Sequence, residues 1–175
     1  VHWDNQSITL PNNGMQIDFG GIVKEYAADA LATILKKNNV NNALVDMGGD
    51  IRVIGTLIDG SPWQVGISDP TLPEQAIAKI PMVSGGLASS GDYQRYFIHQ
   101  GKRYSHILNP KTGWPVIGLA SVSVWHEQCV IAGTLATIAM LKADKGIAWL
   151  QELGVPFLAI TSENKEIVTN QVTLN

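Results

Sequence analysis

The sequence predicts an α+β fold, a mixed and largely antiparallel sheet packed with helices. Two observations agree with that fold class. Three segments carry apolar residues at helical spacing, and much of the remaining chain alternates short extended runs with turns rich in glycine, proline and asparagine. At 175 residues the chain fits a single domain, residues 1–175, that buries roughly two thirds of its surface without disulfides or a structural metal.

Composition and charge exclude some partners. Hydrophobic residues make up 45% of the chain and charged residues 15%, which is typical of a globular protein. The net charge of -3 provides no basic surface for nucleic acid. No apolar run reaches the roughly 18 residues that span a bilayer, so no transmembrane segment is expected. The single cysteine, Cys129, leaves the redox compartment open.

A pair of glycines precedes the first expected helix. Extended pieces at residues 7–10 and 15–18 flank a turn at residues 11–14, and helical spacing runs over residues 22–38. Backbone amides at such a helix start can bind an anion. Asp18 fits a helix cap as well as a ligand contact. Lys24 lies in the first turn, against the helix dipole, which favours a ligand-facing role.

The middle of the chain reads as successive strands. Residues 43–46 and 51–57 flank the sequence MGGD, which is better explained as a bulged hairpin than as a dinucleotide-binding turn, because no third glycine opens a helix after it. Two further strands are expected at residues 63–69 and 76–83.

Residues 85–115 hold the densest set of polar groups. They combine a glycine-rich start with Asp92, two arginines, His106 and a proline-glycine turn, the inventory of a phosphate-handling site rather than of a core. Strands are expected at residues 93–99 and 102–107, which places His106 at a strand end, where catalytic groups are common. A lone histidine is more often structural than catalytic, so the residues alone leave its role open.

The last third of the chain predicts a strand, two helices and closing strands. The strand covers residues 120–126, and the helices cover residues 129–141 and 144–153. Small residues in the first of these helices would let another backbone approach closely. Closing strands are expected at residues 155–160 and 166–174.

Four separated segments offer polar or glycine-rich groups: residues 18–24, 48–50, 89–95 and 103–113. If they converge, they suit a ligand that carries phosphates, with a histidine to move a proton and Mg²⁺ to neutralise charge. A zinc site is not indicated, because the four histidines lack ligand spacing. A serine hydrolase is not indicated either, because neither Ser89 nor Ser90 lies in a G-x-S-x-G elbow.

The same segments resemble those of a known family. DFGGIVK at residues 18–24, ALVDMGGDIRVIG at 43–55, SSGDYQRYF at 89–97 and YSHILNPKTGWPV at 104–116 are similar, in this order, to the signature segments of the ApbE-type FAD:protein FMN transferases. The resemblance covers about residues 15–141, and its ordered motifs make it highly specific.

The resemblance implies the α+β fold and an enzyme that binds FAD, cleaves its pyrophosphate with Mg²⁺ and transfers FMN to a threonine hydroxyl of a target protein. It also implies roles for individual residues. Asp18 and Lys24 would contact the flavin nucleotide, and Ile107 would line the flavin pocket. The metal would be bound by the carbonyl of Gly21 and by Thr137, and His106 would be the base for the acceptor threonine.

Departures from the family pattern affect the metal site and the pocket. Gly133 stands where the family usually has an aspartate, so Mg²⁺ would lack a carboxylate and would depend on the phosphates of the substrate. Glu25, where glycine is common, and Asn109, where aspartate is common, are expected to be tolerated. Only 17 residues precede the first motif, which indicates the C-terminal portion of such a protein or a reduced relative.

Two alternative functions use the same residues. One is an FAD-binding module without turnover, because of Gly133, and the other is hydrolysis of FAD to FMN and AMP. The resemblance further implies an acceptor that is a redox-pump or electron-transfer subunit. It implies a location in the periplasm or at the outer face of the cytoplasmic membrane, with a lipid anchor in the full-length protein.

Overall fold

A six-stranded antiparallel sheet forms the centre of the computed structural model, which describes residues 1–72, 74–93 and 95–169, with the backbone alone at Lys102 and Arg103. In chain order the described elements are β1 (His2–Trp3), β2 (Ile8–Thr9), α1 (Val23–Lys37), β3 (Ala43–Asp46), β4 (Ile51–Ile54), β5 (Trp63–Ser68), β6 (Ala76–Met82), β7 (Ser84–Gly91), β8 (Tyr96–His99), β9 (Lys102–Ser105), β10 (Leu119–His126), α2 (Cys129–Lys142), a 3-10 turn (Ala143–Lys145), α3 (Gly146–Leu153), β11 (Phe157–Thr161) and β12 (Glu166–Val168).

Every strand pair in these described ranges is antiparallel. The central sheet has the order β12-β11-β10-β7-β4-β3, and the pairs β1-β2, β5-β6 and β8-β9 form separate two-stranded sheets. The predicted α+β fold class is confirmed.

The three helices cover one face of the central sheet. Val122 and Val124 of β10 are fully buried on this face, together with Ala132 and Ala136 of α2. The small side chains of α2 let this helix lie close to the strands, as its sequence predicts. We call this layer the helix-face core. It fixes α2 over β7 and β10, and therefore fixes the side chains that α2 presents to the site.

The hairpin β5-β6 covers the opposite face. Val65 and Ile80 from the hairpin pack with Val53, Leu87 and Leu158 from the central strands. The strands β4, β7 and β11 are therefore buried from both sides. We call this second layer the hairpin-face core.

The sequence indicates that residues 85–115 form a site rather than part of the core. This is wrong for the start of the stretch, which is the central strand β7. Ser84–Gly91 runs between β10 and β4 in the middle of the sheet, and Leu87 and Ala88 are buried. A Cβ added at Gly86 would lie 2.5 Å from Cys129 Cα and 2.6 Å from its backbone nitrogen. Glycine is therefore needed here because the start of α2 touches the strand, although glycine is rare in strands generally.

Several predicted boundaries shift. β4 ends at Ile54, because Gly55 has a φ of 62° and turns the chain. The extended piece at residues 15–18 forms no strand, and the first hairpin instead pairs β1 with β2. β8 begins at Tyr96, and α3 begins at Gly146 after the 3-10 turn. Residues 170–174 of the last predicted strand lie outside the described residues.

Among the helices of the described ranges, none has both the length and the apolar character needed to cross a membrane.

Candidate functional site

The site begins at the turn that leads into α1. Phe19 O accepts hydrogen bonds from the amides of Ile22 and Val23, each at 3.0 Å, and so starts the helix. Asp18 Oδ1 accepts the amide of Gly20 at 2.6 Å, while the N-cap position is Ile22 and has no side-chain cap. Asp18 is therefore not the helix cap. Its carboxylate shapes the turn that presents Gly21, and both residues are exposed.

Lys24 joins this turn to the loop between β3 and β4. Its Nζ forms an ion pair with Asp50, whose side chain is almost fully buried while that of Lys24 is half exposed. The loop is a tight hairpin in which Gly48 and Gly49 have φ of 72° and 92°, as two-residue hairpin turns require. The predicted hairpin is confirmed, but β3 and β4 pair in regular register, without the predicted bulge. The first two of the four predicted segments are in contact.

Glu25 lies against Gly133. The Glu25 side chain is 6% exposed, and a Cβ added at Gly133 would be 2.3 Å from its Oε1 and 2.6 Å from its Cγ. The carboxylate of α1 therefore fills the space beside α2 that a side chain at position 133 would occupy. Glu25 Oε2 is buried and has no hydrogen-bond partner among the described residues. Burial raises the pKa of Glu25, and the nearby Asp50 charge raises it further.

Thr137 lies one turn after Gly133 on α2, and hence on the same helix face. Its hydroxyl is 2.8 Å from the hydroxyl of Ser90 on β7, and the two share a hydrogen bond. The third predicted segment, residues 89–95, therefore meets α2 at Thr137. The sequence analysis considered Ser90 only as a hydrolase nucleophile, because its contact with Thr137 depends on the strand β7 that the sequence did not predict.

His106 follows β9 directly and is exposed. Its Nδ1 is 3.1 Å from the carbonyl oxygen of Arg95. A carbonyl only accepts hydrogen bonds, so the neutral ring must carry its proton on Nδ1 and leave a lone pair on Nε2. The third and fourth predicted segments are joined by this contact, and the ring is set to act as a base through Nε2.

A cavity of about 390 Å³ lies beside the hairpin β8-β9. Asp92, Ser105 and Tyr104 line it, together with Trp114. The Tyr104 ring stacks on Phe97 at 5.2 Å between centroids and lies 6.4 Å from the Trp114 ring. A row of aromatic faces beside a cavity suits a planar ring system as ligand.

Ile107, which is predicted to line a flavin pocket, packs its side chain into the protein interior. Its side chain is only 9% exposed and belongs to the helix-face core. The neighbouring Ser105 lines the cavity, and its Oγ accepts the Ile107 amide at 3.1 Å. Burial of the Ile107 side chain thus fixes the backbone next to Ser105 on the cavity wall and next to His106.

The donors available for a metal are hard oxygen atoms. No group of three or more His, Cys, Asp or Glu side chains is placed to hold a metal within the described part of the chain. Glu25 contacts α2 at Gly133, one turn before Thr137 on the same helix face, and a Cβ added at Gly21 would meet no atom within 4 Å. A carboxylate, a hydroxyl and a carbonyl, completed by substrate phosphates, is a donor set that Mg²⁺ accepts. The orphaned Glu25 oxygen makes the residues fit such an ion.

The contact between Glu25 and Gly133 was not predicted from the sequence. The signal was present as two departures from the family pattern, a carboxylate missing at Gly133 and a carboxylate added at Glu25. The sequence treats them as unrelated because they are more than 100 residues apart. The packing of α1 on α2 brings them into contact.

Comparisons with known proteins agree on one family. The model of the ApbE family matches residues 1–159. The chain is 39% identical over 154 residues to an FAD:protein FMN transferase of Haemophilus influenzae, and 34% identical over 151 residues to one of Vibrio cholerae. These alignments cover 85% and 83% of the chain but 44% and 45% of the relatives, so the chain spans less than half of their length.

Solved structures give the same result. The ApbE protein of Thermotoga maritima superposes with a TM-score of 0.82 at 36% identity, covering 90% of this chain and 52% of that one. The flavinyl transferase ApbE of Pseudomonas stutzeri, in its apo form, superposes with a TM-score of 0.78 at 32% identity, covering 89% and 50%.

Proposed function

Because the chain belongs to the ApbE family, we propose that it takes part in the Mg²⁺-dependent transfer of FMN from FAD to a threonine hydroxyl of an acceptor protein. The curated relatives named above are FAD:protein FMN transferases, which supports flavin transfer to protein. The observation that carries the proposal is that contacts join the four motif segments in two pairs. Lys24 pairs with Asp50, and His106 contacts Arg95.

We propose that the turn before α1 and Lys24 bind the pyrophosphate of FAD. Amides near a helix start attract anionic oxygens. The Lys24 ammonium has three donors and gives one to Asp50, so donors are left for phosphate oxygens. The ion pair holds the lysine side chain in place. Asp18 shapes the same turn, which supports the proposal that it lies near the nucleotide.

Mg²⁺ would be held by Thr137 and by the carbonyl of Gly21, with the phosphates of FAD. When bound, the ion neutralises charge on the phosphates. Thr137 is oriented for this by its hydrogen bond with Ser90.

His106 provides the base of the proposed reaction. Its Nε2 takes the proton of the acceptor threonine hydroxyl. The threonine oxygen then forms a bond to the phosphorus of the FMN moiety. The bond between that phosphorus and the bridging oxygen breaks, and AMP leaves with the electron pair of that bond. The proton passes from His106 to solvent or to the AMP phosphate.

Mass spectrometry of an acceptor subunit tests the proposal. The chain is incubated with FAD, Mg²⁺ and a subunit that one of the curated relatives flavinylates, and the Thr→Ala form of that subunit is the control. We expect the added mass of FMN on the threonine form alone. AMP released without any acceptor would indicate FAD hydrolysis instead. Bound FAD with neither AMP nor modified acceptor would indicate a binding module.

His106→Ala gives the first specific prediction. We expect transfer to fall about 10²- to 10⁴-fold, because a positioned general base contributes that much, with FAD affinity near that of the wild type. Transfer is measured by AMP release and FAD affinity by flavin fluorescence. His99→Ala, an exposed histidine on β8 of the same hairpin, is the matched control and should keep full activity. Equal losses in both variants would contradict the assignment.

The acceptor class and the location are further parts of the proposal. We propose a redox-pump or electron-transfer subunit as the acceptor, at the outer face of the cytoplasmic membrane or in the periplasm. Their support is the family resemblance.

A further inference from the structure

We propose that Glu25 of α1 supplies the carboxylate ligand of the metal ion in this chain, in place of the side chain that α2 lacks at Gly133. The inference rests on the proposed function, because that function provides the reason for a metal ion. It changes the expected site from one without a carboxylate to one with a carboxylate from another helix.

The first support is the position of the Glu25 carboxylate. A Cβ at Gly133 would meet Oε1, Cγ and Cδ of Glu25 at 2.3, 2.6 and 2.8 Å. The carboxylate therefore takes up the volume in which a residue-133 side chain would start. Thr137 is on the same face of α2 one turn later, so the Glu25 carboxylate lies on the side of α2 that presents the Thr137 hydroxyl.

The second support is the lack of a partner for the carboxylate. Oε2 is buried and has no hydrogen bond among the described residues, and a buried polar atom without a partner is costly. The neighbouring cations have other partners, since Lys24 pairs with Asp50 and Arg52 pairs with Asp29. A bound cation would compensate the Glu25 carboxylate.

The third support is the chemistry of the donor set. Mg²⁺ is usually bound through one or two carboxylates together with substrate phosphates. Asp50, the other nearby carboxylate, is occupied by Lys24. Glu25 is the carboxylate that contacts α2 at Gly133, one turn before Thr137, and its Oε2 has no hydrogen bond among the described residues.

The test measures metal binding rather than transfer. Mn²⁺, which can be counted by electron paramagnetic resonance, is titrated into the full chain alone and in the presence of FAD. We expect Glu25→Gln to weaken Mn²⁺ binding at least about tenfold, since even losses in the outer shell of a metal site cost 10- to 100-fold. Glu152→Gln, an exposed glutamate in α3, is the matched control and should bind like the wild type.

A second set of variants exchanges the side chains between positions 25 and 133, so that the test does not depend on whether one variant folds. Gly133→Asp alone places its Cβ on the Glu25 carboxylate and should lower the melting temperature without strengthening Mn²⁺ binding. The double variant Glu25→Gly with Gly133→Asp removes the clash and returns a carboxylate to α2. We expect it to recover the Mn²⁺ affinity that Glu25→Gly alone loses.

Three results would overturn the inference: no Mn²⁺ binding by the wild-type chain in either condition, unchanged affinity in Glu25→Gln, or no recovery in a folded double variant. Failure of the proposed function would look different. Mn²⁺ binding that depends on Glu25, without any FMN transfer, would support Glu25 as a metal ligand and reject the transferase function. Full FMN transfer by Glu25→Gln would support the transferase function and reject Glu25 as a metal ligand.

Discussion

Gly86 shows at the scale of one residue why a glycine-rich stretch became a central strand. It lies in β7 where the first turn of α2 touches the sheet, with Cys129 backbone atoms 2.5 and 2.6 Å from the position of an added Cβ. Neither atom can move without moving the helix. A single methyl group at this position would therefore separate the two elements that carry Ser90 and Thr137.

Gly86→Ala should lower the free energy of unfolding by about 1–3 kcal/mol, because overpacking a close backbone contact costs that much. Urea unfolding measures the change. Gly66→Ala is the matched control. Gly66 also lies in a strand, and its added Cβ would meet only Ala76 Cβ, at an ordinary 3.5 Å. The explanation fails if the two variants are equally stable.

Cys129 should be unreactive in the folded protein. The thiol is fully buried, and burial raises its pKa from 9.0 to about 12, with the nearby carboxylates Asp50, Asp29 and Glu25 adding to the shift. A raised pKa stabilises the folded protein below the ordinary thiol pKa, and this stabilisation is lost as pH rises toward the folded value. We expect no labelling by a thiol reagent at pH 9 until denaturant is added. Rapid labelling of native protein would contradict the burial.

The site residues differ in how far the sequence could predict them. Lys24, His106 and Thr137 lie in motifs whose spacing is fixed along the chain, and the structure gives each of them a contact with another part of the site. Glu25 could not be recognised, because its role depends on a contact with Gly133 made by the packing of two helices. Local sequence contains no information on that distance.

At the scale of elements, Asp29 connects two helices. Its carboxylate accepts the amides of Cys129 and Val130, at 3.0 and 2.9 Å, and so caps α2 from the side of α1. Arg52 Nε of β4 lies 2.9 Å from the same carboxylate, as an ion pair whose angle does not make it a hydrogen bond. One side chain thus fixes α1, α2 and the sheet relative to one another. The contact between Glu25 and Gly133 depends on this arrangement.

Asp29→Ala should destabilise the fold by about 1–3 kcal/mol, because two helix-start amides and a nearby cation lose a charged partner. It should also loosen the packing of α1 against α2. Thermal unfolding followed by circular dichroism measures the first effect. Glu152→Ala, on an exposed position of α3, should stay within about 0.5 kcal/mol of the wild type. An Asp29→Ala melting curve identical to that of the wild type would rule out the cap.

Helices were predicted better than strands, and the reason is physical. The apolar spacing of α1 and the small residues of α2 reflect packing that is visible in one turn of sequence, and both helices start and end within a residue or two of their predicted limits. β7 has little strand propensity of its own. It becomes a strand because β4 and β10 pair with it on both sides, and such long-range pairing leaves no local pattern.

At the scale of the whole molecule, the two cores share their central strands. Leu87 of β7 faces the hairpin-face core, and its neighbour Ala88 faces the helix-face core. A substitution that loosens the packing of either core therefore disturbs the backbone of the same central strands. We expect the chain to unfold as one unit, in agreement with the single domain that the sequence predicts.

Leu87→Ala and Leu150→Ala test this on opposite faces. Both side chains are 1% exposed or less, so each variant should lose about 2–5 kcal/mol. Tryptophan fluorescence and far-ultraviolet circular dichroism should follow one common transition in each variant. Leu153→Ala, 47% exposed in the same helix as Leu150, should cost much less. Two separated transitions would show that the layers unfold independently.

The contact between Glu25 and Gly133 also restricts the order in which such a site can evolve. With glutamate on α1, an aspartate on α2 would force the Glu25 side chain to move, and with glycine at both positions neither would offer a carboxylate to the ion. Each single change from one arrangement to the other therefore passes through a crowded or a metal-poor protein. The two positions are expected to be inherited as a pair. A relative with glutamate at the first should have glycine at the second, so the two differences from the family pattern should be counted as one paired change rather than as two separate losses.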